Sequence, residues 1–323
     1  MKEIKNNFLE RLWEMVIKPY QVPPLLELLR CLNQRFELPP DERQQYINLE
    51  KGHEGEQKFS VLLENLTNDC LILHSLLLKC NNTLFQIDAL LIFENMIYLV
   101  DVKYYEGDFY IDSDNWYTLS KKEVHNPVLQ LNRCVSLFRR LLQKYGVTLP
   151  VKGYALFNHP EFTLYHAAPE LPIILPTQIN RFMKQLHKIS SKTNNKHMQL
   201  AQKLLSDHRD ESPYTHLPAY SYEQVKKGIV CASCHSLLTS LIGSRVICNG
   251  CGKEEKVDDA VLRSIKEFMM LFPDRRITTN AILEWCKIVK SRNTVRRILG
   301  KYFTIKGHGN YAYYVNSDQK DDE

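Results

Sequence analysis

QIDALLIFENMIYLVDVK, residues 86–103, is two apolar runs joined by Glu94-Asn95. Apolar runs of this length bounded by turn residues read as strands, and two of them across Glu94-Asn95 suggest a tight hairpin. Yet the runs carry Asp88, Asp101 and Lys103. Burying a lone carboxylate costs on the order of several kcal/mol, so these charges need partners or a purpose. An antiparallel pair folding at residues 94 and 95 sets residue 88 opposite residue 101, which makes the two acids cross-strand neighbours. Carboxylates held so close repel, and a divalent cation is the usual remedy. An oxygen-only donor set favours a hard ion, Mg²⁺ or Mn²⁺. By strand alternation Asp101 and Lys103 share a face; Gln86, Asp88 and Leu90 share another, with Ile87 and Ala89 on its reverse. A surface ion pair between Asp101 and Lys103 is the plainer reading, but it leaves Asp88 unexplained.

Working outward, residues 70–78 form a third strand candidate that turns back at Asn81-Asn82. Gly52-His53-Glu54-Gly55-Glu56 opens a helix to about residue 66, with Phe59, Leu62, Leu63 and Leu66 as its apolar face. Glu56 sits one turn before Phe59, at the edge of that face, although Glu54 and Glu56 also suit a helix N-terminus by charge–dipole attraction alone. Residues 1–49 read as helices broken by Pro19, Pro23-Pro24 and Pro39-Pro40, a collar on the next domain without chemistry of its own. Downstream, residues 107–120 read as a hairpin turning at Asp112-Ser113-Asp114-Asn115. His125-Asn126-Pro127 then precedes a helix with Pro127 at its first position. Gln130 lies at the start of that helix, either toward the metal site or in solvent. Residues 151–158 and 173–175 read as strands, 177–187 and 196–205 as helices.

Gly52-x-x-Gly55-Glu56, Gln86-Ile87-Asp88, Asp101-Val102-Lys103 and Asn126-Pro127-x-x-Gln130 occur in this order. In that ordered set the segment from about 50 to 165 resembles the NERD (nuclease-related) domain, within the PD-(D/E)XK nuclease-like fold. The resemblance implies an α/β architecture, a restriction-endonuclease-like mixed sheet flanked by helices. It further implies that Asp88 and Asp101 ligate the metal, Lys103 positions the attacking water, and Glu56 supports the site. Gln130 matches the helix that follows the core strands in such proteins. Asp101 is a departure, since NERD sequences usually carry Glu there, one methylene longer.

The C-terminal third carries a second metal signature. Cys231-x2-Cys234-x13-Cys248-x2-Cys251 resembles a zinc ribbon, four thiolates closing a structural Zn²⁺ site. The other five cysteines (Cys31, Cys70, Cys80, Cys134, Cys286) read as small buried apolar residues. Residues 257–316 read as three helices and a β-wing, with Ser291 capping the third helix, and resemble a winged helix-turn-helix. On that helix Arg292, Asn293, Thr294, Arg296 and Arg297 are placed to reach phosphates or base edges of DNA. The alternative is a protein-interaction module with a solvated basic face.

Charge distribution favours the DNA reading. Net charge is only +5, but residues 225–315 hold 16 Lys and Arg against 7 Asp and Glu, the footprint of a polyanion binder. No run approaches the about 18 apolar residues of a membrane span, and the N-terminus has no signal-peptide core, so a cytoplasmic protein is expected. The expected organisation is a helical segment (1–49), a nuclease-like domain (50–206), a linker (207–224), a zinc ribbon (225–256), a winged helix (257–317) and an acidic tail (318–323). The expected function is that of a Mg²⁺- or Mn²⁺-dependent DNA endonuclease or nickase. A non-catalytic DNA-binding protein with a NERD-like scaffold is the other reading. The sequence leaves the oligomeric state open, a homodimer included.

Overall fold

The computed structural model describes residues 15–209 and 218–316. They fall into two compact units, one of residues 15–23 and 47–209, the other of residues 24–46 and 218–316.

The strands of the first unit are β1 (Val16–Lys18), β2 (Leu71–Cys80), β3 (Thr83–Ile92), β4 (Ile97–Lys103), β5 (Gly107–Asp112), β6 (Asn115–Thr118), β7 (Glu123–Val124), β8 (Val151–Phe157), β9 (Phe162–Tyr165) and β10 (Ile173–Ile174). Six of them make a mixed sheet in the order β1-β2-β3-β4-β8-β10. β2, β3 and β4 are an antiparallel meander, while β1, β8 and β10 join in parallel. The remaining four form a small sheet, β7-β6-β5-β9. Asn81-Asn82 and Ser113-Asp114 turn with both residues at positive φ, the geometry that a two-residue hairpin loop demands.

Helix α1 (Pro24–Asn33) belongs to the second unit. Helix α2 (Pro40–Glu64), from Ile47 onward, α3 (Pro127–Lys144), α4 (Ile179–His187) and α5 (Asn195–Ser206) belong to the first and cover both faces of its large sheet. Leu131 and Phe138 of α3 and Leu200 and Leu204 of α5 pack with Leu73 and Leu99. Phe59 and Leu63 of α2 and Phe182 and Leu186 of α4 pack with Ile72, Leu91 and Val100 on the other face. The mixed sheet flanked by helices is therefore as expected.

Three local expectations need correction. The helix carrying Glu56 begins at Pro40, not at Gly52; Pro40 suits a first helical position, whose missing amide needs no partner. Nor do the described residues 15–49 form one helical collar. Val16–Lys18 is a strand on β2, and residues 24–46 group with the C-terminal unit. The alternation along β3 also breaks. Phe85 and Ile87 enter the same core as Leu90 and Ile92, whereas Ala89 enters the opposite one. β2 does likewise, with Leu71, Leu73, Leu76 and Leu78 all in one core. The pairing register is unbroken through this step, from Leu71↔Ile92 past His74↔Ala89 and Leu76↔Ile87 to Cys80↔Thr83. Both strands thus change faces together at Ser75 and Asp88. Ser75 has φ +49°, and a left-handed residue rotates the following side chains to the other side of its strand.

The second unit contains β11 (Thr239–Ile242), β12 (Arg245–Cys248) and β13 (Glu254–Lys256) as an antiparallel sheet. Helices α6 (Val257–Leu271), α7 (Thr279–Cys286) and α8 (Arg292–Tyr302) follow, then the antiparallel pair β14 (Phe303–Lys306) and β15 (Tyr313–Asn316). Thr278 and Ser291 cap α7 and α8 by accepting the Ala281 and Thr294 amides. Arg35, fully buried, ties the α1 segment in. Its guanidinium donates to the carbonyls of Lys226 and Gly228 at 3.0 Å and to Glu267, and lies over the Trp285 ring. Of the segment 1–49 read as helical, residues 1–14 lie outside the described residues. So do residues 210–217 of the expected linker and the whole acidic tail.

Candidate active site and metal centre

The Glu94-Asn95 turn sets the register of β3 on β4 as the sequence implies, with Ile92↔Ile97 and Ala89↔Val100 paired. Asp88 is the next position, opposite Asp101. There the carboxylate takes over from the ladder, and Asp88 Oδ2 accepts the Val102 amide at 2.8 Å. Its other oxygen accepts from the Gln86 side-chain amide at 3.3 Å. Asp101 is buried, and Lys103 Nζ donates to its Oδ1 at 3.1 Å and lies 2.9 Å from Oδ2. The Lys103 ammonium thus lies against both Asp101 oxygens. Gln130 Oε1 accepts from the same ammonium at 3.2 Å.

Gln130 reaches Lys103 because α3 starts where it does. Asn126 Oδ1 accepts the Val128 and Leu129 amides, Pro127 takes the first helical position, and the Asn126 amide donates to the Asp114 carbonyl at 2.8 Å. Glu56 approaches from α2, and Gly55 permits this. A Cβ on Gly55 would stand 2.9 Å from Tyr104 Cβ, and Asn158 donates to the Gly55 carbonyl at 2.7 Å. Glu56 Oε2 accepts from Ser75 Oγ at 3.3 Å.

The structure therefore brings Glu56, Asp88, Asp101, Lys103 and Gln130 into one neighbourhood, and their charges act on one another. Burial, reinforced by Asp88 and Asp101 against the Ser75 hydrogen bond and Lys103, raises Glu56 to about 9. Burial, then Asp101, raises Asp88 to about 7 against Lys103 and the Val102 amide. Asp101 is raised by burial against the pull of Lys103. Burial works to lower Lys103, but the Asp101 and Asp88 carboxylates overcome it and hold its pKa above the ordinary value. Three acids thus face one ammonium, and a divalent cation would relieve the excess negative charge. Mg²⁺ typically binds through one or two carboxylates and keeps several waters. The Asp88 and Asp101 carboxylates, on neighbouring strands, fit that demand.

Residues 51–158 match the family model of the nuclease-related domain, NERD. That segment is similar to the nuclease-related domain. No curated protein and no solved structure matches the chain. The NERD segment opens just before Gly52 and closes at Asn158, so it takes in Gly55, Glu56, Asp88, Asp101, Lys103 and Gln130. Ser75 and Asn158 belong to the NERD neighbourhood too, and sequence reasoning passed over both. The polar pair His74-Ser75 inside the apolar run LILHSLLLKC was the available signal for the first. For Asn158 there was none.

The second centre lies outside the NERD segment. Cys231, Cys234, Cys248 and Cys251 hold their sulfurs within 4.8 Å of one another, the one such group of His, Cys, Asp or Glu among the described residues. Sγ–Sγ distances are 3.6 Å for Cys231–Cys251 and 3.5 Å for Cys234–Cys248, near the roughly 3.8 Å edge of a tetrahedron with Zn–S of about 2.3 Å. The Ser233 and Gly250 amides point at Cys231 and Cys248 at 3.4 Å. Burial works to raise the Cys231 thiol, yet the Cys234 and Ser233 amides and its thiol neighbours bring it down to about 6. With β11–β12–β13 beside it, the cluster is consistent with a zinc ribbon.

On α8, Val295, Ile298 and Leu299 are buried, while Arg292, Asn293, Arg296 and Arg297 are exposed and Thr294 is half-buried. Arg292 donates to Asn280 at 2.7 Å. Arg297 is engaged by Asp258 in a two-pronged pair at 2.6 and 2.7 Å. Among the described residues, no helix is long and apolar enough to cross a membrane.

Proposed function

We propose that this protein is a divalent-metal-dependent DNA endonuclease or nickase that hydrolyses phosphodiester bonds. The observation that carries the reading is the half-buried cluster of Glu56, Asp88, Asp101 and Lys103 in a nuclease-related domain. A fold without this chemistry has no reason to crowd three acids around one lysine, because each desolvated charge costs stability. Asp88 and Asp101 are the residues to hold Mg²⁺ or Mn²⁺, with the Val102 carbonyl as a further oxygen donor. A divalent ion bound there supplies a water of lowered pKa and neutralises charge on the phosphoryl group. Lys103, kept protonated by its two acids, orients the attacking water and stabilises the negative charge that develops on phosphate. Gln130 fixes the Lys103 ammonium, and Glu56 completes the acidic wall.

The C-terminal unit is the delivery part in this reading. Zn²⁺ on the four cysteines is structural, since a closed thiolate set leaves no open position. The three helices and the β14–β15 hairpin are read as a winged helix-turn-helix with α8 for the major groove. Asn293 and Arg296 are available to DNA there; Arg292 must first leave Asn280, and Arg297 must leave Asp258.

Supercoiled plasmid with Mg²⁺ or Mn²⁺ tests the reading. Wild-type protein should nick or linearise it, and Asp88→Asn and Lys103→Ala should each slow cutting by about 100-fold or more, with unchanged circular dichroism. Wild-type protein that binds DNA but cuts no DNA form with either metal overturns the nuclease reading in favour of the scaffold.

A further inference from the structure

Ser75 is held in a conformation that serine dislikes. It lies in the middle of β2 at φ +49°, where glycine would fit at no steric cost. It is the position across from Asp88, between the pairs His74↔Ala89 and Leu76↔Ile87. At this step both strands change faces without losing register. The hydroxyl that serine adds over glycine donates to Glu56 Oε2 at 3.3 Å. Strain of this kind is kept where the surrounding structure uses it.

We propose that Ser75 is a positioning residue for the metal site: its hydroxyl fixes the Glu56 carboxylate, and its left-handed backbone turns Asp88 toward Val102 and Glu56. The inference rests on the divalent-metal reading of the site. It assigns Ser75 the role that outer partners of metal-site carboxylates usually play, whose loss weakens metal binding or activity by roughly 10–100-fold. Glycine separates the two contributions, because Ser75→Gly keeps the backbone turn and removes only the donor. Ser75→Ala removes the donor and keeps the backbone cost.

The experiment is Mn²⁺ titration of the full chain followed by electron paramagnetic resonance, with plasmid cutting and thermal melting in parallel. Wild type is compared with Ser75→Gly, Ser75→Ala, Glu56→Gln and the double variant that joins Ser75→Gly to Glu56→Gln. Ser75→Gly should weaken Mn²⁺ binding by about 10-fold while melting no lower than wild type. In the Glu56→Gln background the same change should have no further effect, since a positioning group acts only through its partner. Wild-type Mn²⁺ affinity in Ser75→Gly, or an equal loss with and without Glu56, overturns the role of Ser75 and leaves the nuclease reading standing. Wild-type protein that neither binds Mn²⁺ nor cuts defeats the underlying reading instead, and Ser75 with it. An equal loss of Mn²⁺ affinity in Ser75→Ala and Ser75→Gly assigns the effect to the hydroxyl, whereas a loss in Ser75→Ala alone overturns that assignment.

Discussion

At the residue scale, the electrostatics of Asp88 and Glu56 make a prediction with a definite sign. Both carboxyls are raised, to about 7 and about 9, so the metal-free fold retains protons that the unfolded chain releases near pH 4. The associated stability is fully present below the unfolded value and is lost as pH rises through 7 for Asp88 and 9 for Glu56. In EDTA, the melting temperature of wild-type protein should therefore fall between about pH 4 and 7 relative to Asp88→Asn, which shares the Glu56 loss, and excess Mg²⁺ should restore it. Scanning fluorimetry across that range is the check; parallel curves for the two proteins would contradict the burial of a reluctant acid. Asp101 carries the departure from the usual Glu. Its shorter side chain is matched by Lys103, two residues on along the same strand, which closes directly on it.

At the element scale, α3 decides whether Gln130 meets Lys103. The helix lies so close to β8 that a Cβ on Gly153 would stand 2.5 Å from Val135 Cγ2 and 3.1 Å from Leu131 Cδ1. Gly153→Ala should destabilise the first unit by about 1–3 kcal/mol through overpacking, measured by urea unfolding. The hairpin around the site was legible because a two-residue loop dictates register, and Glu94-Asn95 between apolar runs identifies that loop. The step at Ser75 and Asp88 was not legible. Strict alternation treats each strand by itself, whereas the change of face is shared by two paired strands and depends on one serine at positive φ.

For the whole molecule, the unexpected feature is that residues 24–46 complete the C-terminal unit. Arg35 is buried among two carbonyls, Glu267 and Trp285; Arg35→Ala takes the donor from both carbonyls while Glu267 keeps Arg263 at 3.3 Å, and should cost that unit about 1–3 kcal/mol. Calorimetry should read that loss as a downward shift in melting temperature. DNA delivery is better tested on exposed α8 side chains than by deleting the C-terminal third, which would also uncover the α1 segment. Arg292→Ala and Arg296→Ala should each weaken DNA binding and reduce the salt slope by about 1, measured by fluorescence anisotropy between low and physiological salt. An unchanged slope would place the nucleic-acid contacts elsewhere.

The sequence by itself determined the strands β2, β3, β4 and β8, the β3–β4 register and the four-thiol cluster, since each follows from local spacing: apolar runs, a two-residue turn, and paired Cys-x-x-Cys knuckles. It also singled out Asp88 and Asp101, because charge within an apolar run is visible without a structure. Only the tertiary structure decided the rest. Ser75 meets Glu56 across 19 residues, Gly55 meets Tyr104 and Asn158, and Arg35 meets Glu267 across 232. These contacts join elements distant in the chain, and they arise from packing that no local pattern encodes.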